Sequence, residues 1–435
     1  MKKYITIAVL LISTLATSQN LKLEDIMKGN EFIGVQPSNI SLLPFDIGFL
    51  FNWTEDEETL DDLFIYEYAT KKYRRASLAE VNYMPRYYLL SEKKDRAFYI
   101  NDGNLYQWSS KSKKPKIIIE STKFIHNLQL INGEQSLVYQ EGNNLFAWNL
   151  EHSSLKQLTN FVSKPSKKPA LSPMNLEQLE LFEYLKNKHE RNEKKNNKVG
   201  FSVPEFALNG KRLSDLSIDP TGNHIFFKLT EKVDVEYTDM PKYVTQSGYT
   251  EMQKARPKVG RMDAKQELVY FSLNEATYHN ISLSALPEIK SAPDYYKEYN
   301  RKMVLENEKL THIHQPIFSK QGEALIEIKS LDNKDRWLCL FDSRKKELRS
   351  FEHQQDDKWI GGPGISSWNM VPGNIGWYKN GKRVYYQSEA SGYSHLYTYN
   401  TEKTSKKQIT NGQFEIHEAY LDEANKFFFS FRGMW

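Results

Sequence analysis

His312 and His314 stand two residues apart in "KLTHIHQP", a spacing that puts both rings on one face if the segment is a strand. A metal centre needs at least a third ligand. The ten histidines show no such clustering, so the pair reads as polar surface decoration and no metal is expected. Cys339 is the single cysteine, which excludes an intrachain disulfide. Its neighbours Trp337, Leu338 and Leu340 place it on a buried strand rather than in a reactive niche. A nucleophile elbow requires Gly-x-Ser-x-Gly on a strand-to-helix turn. The nearest approximations, "GISSW" from Gly364 and "GYSHL" from Gly392, lack the closing glycine. There is no Walker loop, no dinucleotide fingerprint and no His-Glu-x-x-His, so no cofactor is indicated and no catalytic set is complete.

The elements around these residues are strands. Aromatic residues are 13% of the chain, with 26 Tyr, 23 Phe and 8 Trp, which favours β structure. Tight polar turns join short apolar runs, as between Phe98–Ile100 and Leu105–Trp108, and again between Leu137–Tyr139 and Leu145–Leu150. A second motif opens such units around Gly133, Gly222, Gly322 and Gly381. Units of strand, turn and strand recurring every 40 to 60 residues or so indicate an all-β chain, a β-propeller of four-stranded antiparallel blades. About six to seven blades are expected from the turn count, and the last has Leu421–Ala424 in its turn and a buried aromatic second strand, Phe427–Phe431. One segment breaks the pattern. Leu176, Leu179, Phe182 and Leu185 recur at helical spacing after Asn175, an N-cap, so a helical insertion is expected over about 174–199.

A chain of 435 residues exceeds one ordinary core. The net charge of +4 is small for that length and its lysines are scattered, so no nucleic-acid partner is implied. At the N-terminus, Lys2 and Lys3 precede an apolar run from Tyr4 to Leu15 and small residues up to Ser18. This is the pattern of a secretory signal over 1–18, cleaved between Ser18 and Gln19, with the mature chain running over 19–435. The apolar run is about a dozen residues, short of the roughly 20 that span a bilayer. A periplasmic or secreted protein with no membrane span after cleavage is expected.

Three stretches carry a resemblance. They are "MPKYVTQSGYTEMQKARPKVG" from Met240, "HQQDDKWIGGPG" with Gly361, Gly362 and Gly364, and "YYQSEASGYSHLYTYN" with Ser388, Glu389, Gly392, His395, Leu396 and Tyr397. Together with the "KQITNG" that follows, they resemble the N-terminal propeller of the dipeptidyl peptidase IV branch of the prolyl oligopeptidase (S9) family. The resemblance implies a propeller of about eight blades that filters peptide substrates for a C-terminal α/β-hydrolase domain carrying Ser, Asp and His. No such domain is recognised in this sequence, which reads as an incomplete propeller lacking its catalytic residues. The paired glutamates that hold a substrate's amino terminus in the family have no counterpart here. Glu177, Glu180 and Glu183, in the corresponding region, read as solvent-face residues. The expected function is the substrate-gating portion of a secreted serine peptidase, inactive alone. A free-standing periplasmic binding propeller is the alternative. The sequence does not specify substrate-binding residues or an oligomeric state.

Overall fold

The computed structural model describes residues 22–29, 32, 34–54, 62–112, 114–165, 184, 187–188, 190–191, 203–258, 263–365, 371–422 and 424–433. The signal segment with Ser18 and Gln19, and nearly all of the helical insertion with its three glutamates, lie outside these residues. The chain forms two compact units, residues 1–125 and 126–435.

The first unit contains two four-stranded antiparallel sheets. One is β1 (Ser38–Leu42), β2 (Gly48–Trp53), β3 (Asp62–Glu67) and β4 (Lys72–Arg75); the other is β5 (Leu89–Leu90), β6 (Arg96–Asn101), β7 (Asn104–Ser109) and β8 (Lys116–Ile119). Leu43, Leu50 and Ile65 are buried in the first, and Tyr99, Tyr106 and Trp108 in the second.

The second unit carries the rest. β9 (Ile125–Ile131), β10 (Ser136–Glu141), β11 (Asn144–Asn149) and β12 (Leu155–Gln157) form a four-stranded blade. A short parallel pair, β13 (Asn160–Val162) and β14 (Glu205–Ala207), brackets the inserted segment. The next blade is β15 (Arg212–Ile218), β16 (His224–Thr230), β19 (Gln266–Ser272) and β20 (Thr277–Ile281), interrupted by a separate hairpin, β17 (Tyr237–Lys242) and β18 (Glu251–Pro257). Then come β21 (Thr311–Ile313), β22 (Ile317–Phe318), β23 (Ala324–Ser330), β24 (Asp335–Asp342) and β25 (Glu347–Gln355). After these come β26 (Ile375–Trp377), β27 (Arg383–Ser388), β28 (His395–Asn400) and β29 (Ser405–Gln408), and the two-stranded sheet β30 (Phe414–Leu421) with β31 (Phe427–Gly433).

In the second unit, inner strands such as β16 and β23 are buried on both faces because their blades lie between neighbours. In β16, Ile225, Phe227 and Leu229 join the core shared with the preceding blade, while Phe226 turns to the core shared with the next. In β23, Ile326 and Ile328 face backwards and Leu325 faces forwards, onto Val384, Tyr386 and Tyr399. Cys339 is fully buried in β24, and burial pushes its thiol up to about 12.

Three of the opening turns expected from sequence share one geometry, and the turn at Gly133 differs, with Gln135 N donating to Asn132 O. The main-chain N–H of Gly222, Gly322 and Gly381 donates to the carbonyl three residues back, and each glycine has positive φ. Lys94 and Asn425 occupy the same place in two further turns, with φ of +54° and +60° and the same hydrogen bond. At Gly322 a Cβ would also stand 2.3 Å from Asp219 Oδ2 in the preceding blade's turn. Gly322→Val is therefore expected to destabilise the chain by roughly 2–4 kcal/mol. The denaturant midpoint measures this, and a loss below about 0.5 kcal/mol would contradict the close fit.

The structure corrects one expectation at the last strand. Phe427–Phe431 pairs with β30, but it is not buried: Phe428, Phe429 and Phe431 are 47%, 43% and 64% exposed. Phe427 packs against Tyr378 and Tyr385 of the preceding blade, while Phe428 stacks on Tyr420 and Phe431 meets Phe414 within the two-stranded sheet itself.

Candidate ligand-binding groove

In the second unit, first strands of successive blades meet through side chains that reach main-chain carbonyls. Asn127 Nδ2 on β9 donates to Leu216 O on β15 at 2.6 Å, and Asn374 Nδ2 just before β26 donates to Ala419 O on β30 at 2.8 Å. Second strands contribute too, on their forward faces. Lys228 Nζ donates to Ile313 O at 3.0 Å, Lys329 Nζ to Ile365 O at 2.8 Å, and Gln387 Nε2 to Ile416 O at 2.8 Å. A buried ammonium needs a countercharge. Asp215 Oδ2 supplies one to Lys228 at 2.6 Å, and the bulge between Ser214 and Ser217 in β15 carries that carboxylate, with Asp215 at φ +53°.

Between β15 and the segment after β21 lies a cavity of about 730 Å³. Lys228, Asp215 and Ser214 form one side, and His312 and His314 the other. A smaller cavity of about 310 Å³ shares Ser214, Asp215 and Gln315 and reaches His126, Asn127 and Gln140. The histidines are thus not surface decoration, which corrects the sequence reading. β21 ends at Ile313, His312 is half-buried, and His314 is 6% exposed, with ring centroids 4.7 Å apart. Burial pushes both imidazoles down to about 4, so both are neutral at pH 7. Gln266 fixes one tautomer. Its Oε1 accepts from Ile313 N at 2.9 Å, which leaves its amide N–H to donate to His312 Nδ1 at 3.3 Å and puts the imidazole proton on Nε2. Among the described residues no three metal-ligating side chains are grouped to hold an ion.

A second polar cluster lies deeper, between the blades led by β21 and β26. Arg336 Nε meets Glu327 Oε1 at 2.5 Å, both side chains being fully buried, and Arg336 Nη1 donates to Gln387 O at 2.8 Å. Gly373 N donates to Glu327 Oε2 at 2.7 Å, and Lys329 Nζ stands 3.5 Å from Oε1. Burial alone would raise the Glu327 carboxyl; Arg336 and Lys329 overcome that and hold it below the usual carboxylate range. Burial pushes Lys329 down to about 8.

The residues of the "SE-x-x-G-x-x-HLY" stretch are not in the groove; they fasten one strand to the next. His395 Nε2 donates to Gly412 O at 3.0 Å, and His395 Nδ1 accepts from Thr410 Oγ1 at 3.0 Å; that hydroxyl also accepts from Leu396 N at 3.0 Å. The same device recurs at "KQLT", where Leu145 N donates to Thr159 Oγ1 at 2.9 Å. Ser388 is buried and its Oγ accepts from Ala390 N; Tyr397 Oη meets Ser391 Oγ at 3.1 Å; Gly392 sits in a turn at φ +91°. Burial, with Glu415 and Asp356 nearby, raises the Glu389 carboxyl, and its Oε1 stands 2.4 Å from where a Cβ on Gly362 would be. Gly364 is still tighter, since its Cβ position coincides with the Gln387 amide at 1.9 Å, while Gly361 lies beside the Trp359 indole. Sequence reasoning passed over Arg212, Asp215, Lys228 and Gln266, which carry no local motif.

Antiparallel blades of four strands in chain order, sealed one to the next by apolar layers within the second unit, define a β-propeller fold. The family described as "Dipeptidyl peptidase IV (DPP IV) N-terminal region" matches residues 214–432, just over half of the chain, and the chain belongs to this family. The chain is similar in fold to Porphyromonas gingivalis dipeptidyl peptidase 4, at 13% identity and a TM-score of 0.52, over 94% of this chain and 52% of that one. A putative dipeptidyl aminopeptidase IV from Bacteroides ovatus ATCC 8483 aligns at 12% identity and a TM-score of 0.47, over 88% and 48%. The chain thus spans about half the length of these structures. No curated protein matches.

Proposed function

We propose that this chain is the substrate-gating propeller portion of a secreted dipeptidyl peptidase IV-like serine peptidase, that it handles peptides, and that by itself it hydrolyses none. The family match over residues 214–432 carries this reading. The groove beside β15 supports it, since it offers a peptide several side-chain donors. The Lys2–Ser18 segment supports secretion, and among the described residues no helix is long and apolar enough to cross a membrane. No residue described above plays the part of an activated nucleophile. Xaa-Pro chromogenic substrates incubated with the 435-residue chain are expected to give no turnover above blank. Turnover abolished by a serine-directed phosphonate would refute the inactive reading.

A further inference from the structure

The cavity between β15 and the segment after β21 holds more hydrogen-bond donors than acceptors. Arg212 stands at its mouth, exposed, and has no hydrogen-bond or ion-pair partner among the described residues. Lys228 gives one proton to Asp215 and one to Ile313 O, which leaves the third. His312 presents Nε2–H, since Gln266 occupies its Nδ1. Two buried polar atoms of residues that line the cavity, Ser214 Oγ and His314 Nε2, have no partner among the described residues, and His314 is more than nine-tenths buried. Buried polar atoms are almost always matched, so a pair of unmatched ones in one cavity points to a ligand with complementary groups. Asp215 is the only carboxylate in the lining, and Lys228 already neutralises it. The site therefore has a net positive charge from Arg212.

Apart from Gln315, the remaining wall is apolar. Leu213, Pro316, Ile317 and Pro372 flank the polar end. An inorganic anion makes no use of such a wall, whereas a carboxylate attached to an apolar residue fills both halves.

We propose that this cavity binds a carboxylate borne by a peptide, with Arg212 as its ionic partner, His312 Nε2–H and the Ser214 hydroxyl as further donors, and the apolar wall holding the adjoining side chain. The inference rests on the peptide-handling reading above and adds to it the chemical end of the peptide that is held and the place where it is held. A free C-terminus and an Asp or Glu side chain offer the same group, and the test separates them. A guanidinium–carboxylate fork is directional and charge-assisted, so Arg212 sets the preference.

The test is calorimetric titration of the full chain at pH 7 with three peptides: Gly-Pro-Ala-Leu as the free acid, the same peptide amidated, and the amidated peptide with Glu in place of Leu. The free acid is expected to bind at least tenfold more tightly than its amide. The Glu peptide tells whether a side-chain carboxylate serves equally. Arg212→Gln is expected to abolish the preference and Arg212→Lys to keep part of it. Because Arg212 is exposed and unpaired, neither change should move the melting temperature by more than about 1 °C. Acid and amide binding equally well, or a preference that survives Arg212→Gln, would overturn the inference while leaving peptide handling intact. No binding of any of the three peptides would overturn both.

Discussion

Replacing Glu327 by alanine is expected to destabilise the chain by about 3–5 kcal/mol, the largest loss from any single side chain described here. Glu327 is 1% exposed and faces Arg336, which is fully buried, with Lys329 at 3.5 Å. Without the carboxylate, a guanidinium that no solvent reaches keeps only neutral acceptors, Gln387 O and Gln354 Oε1. Gly373 N also loses its acceptor. Denaturant unfolding of Glu327→Ala, Arg336→Met and the double variant measures the coupling. The double variant should be less damaged than the sum of the singles, because removing both charges removes the uncompensated one. Additive losses would show that the pair is not coupled.

The second large effect is acid lability. The His312 and His314 rings titrate at about 4 in the folded chain, against 6.5 when unfolded. As pH falls below 6.5 the unfolded chain takes up protons that the folded chain refuses. Stability is therefore complete above pH 6.5 and is lost progressively as pH falls toward 4. Each ring accounts for up to about 3 kcal/mol, and half-buried His312 for less. Glu327 acts lower. Its folded value is depressed, so its contribution is present above its unfolded value of 4.5 and is lost only as pH falls through the folded one. Melting temperatures between pH 7 and 4.5 should fall steeply for the native chain and less for His314→Gln and the His312→Gln/His314→Gln pair. An unchanged slope in the double variant would refute this assignment.

The turns were legible in the sequence wherever glycine marks positive φ, as at Gly222, Gly322 and Gly381. They were not legible at Lys94, which adopts the same conformation without announcing it. The apolar alternation in β16 and β23 was legible as strands, but which face meets which blade emerges only from packing. The groove was the least legible part. His312 and His314 were visible as a pair, yet their burial comes from Gln266 and Lys228, 46 and 84 residues away in the chain, and no local pattern links them. The "HLY" and "KQIT" stretches are prominent in the sequence because a fastening must repeat, and for the same reason they say little about ligands. The exposed Phe428, Phe429 and Phe431 look buried in sequence because an aromatic strand reads alike with or without a neighbour over it.

The forward reach of Lys228, Lys329 and Gln387 gives the structure a direction in time. Each donor's carbonyl partner belongs to a later part of the chain, 85, 36 and 29 residues on. A ribosome delivers the donor first. The newest blade therefore carries an incompletely satisfied polar group on its leading face until the next blade is made, and each blade settles one step behind synthesis.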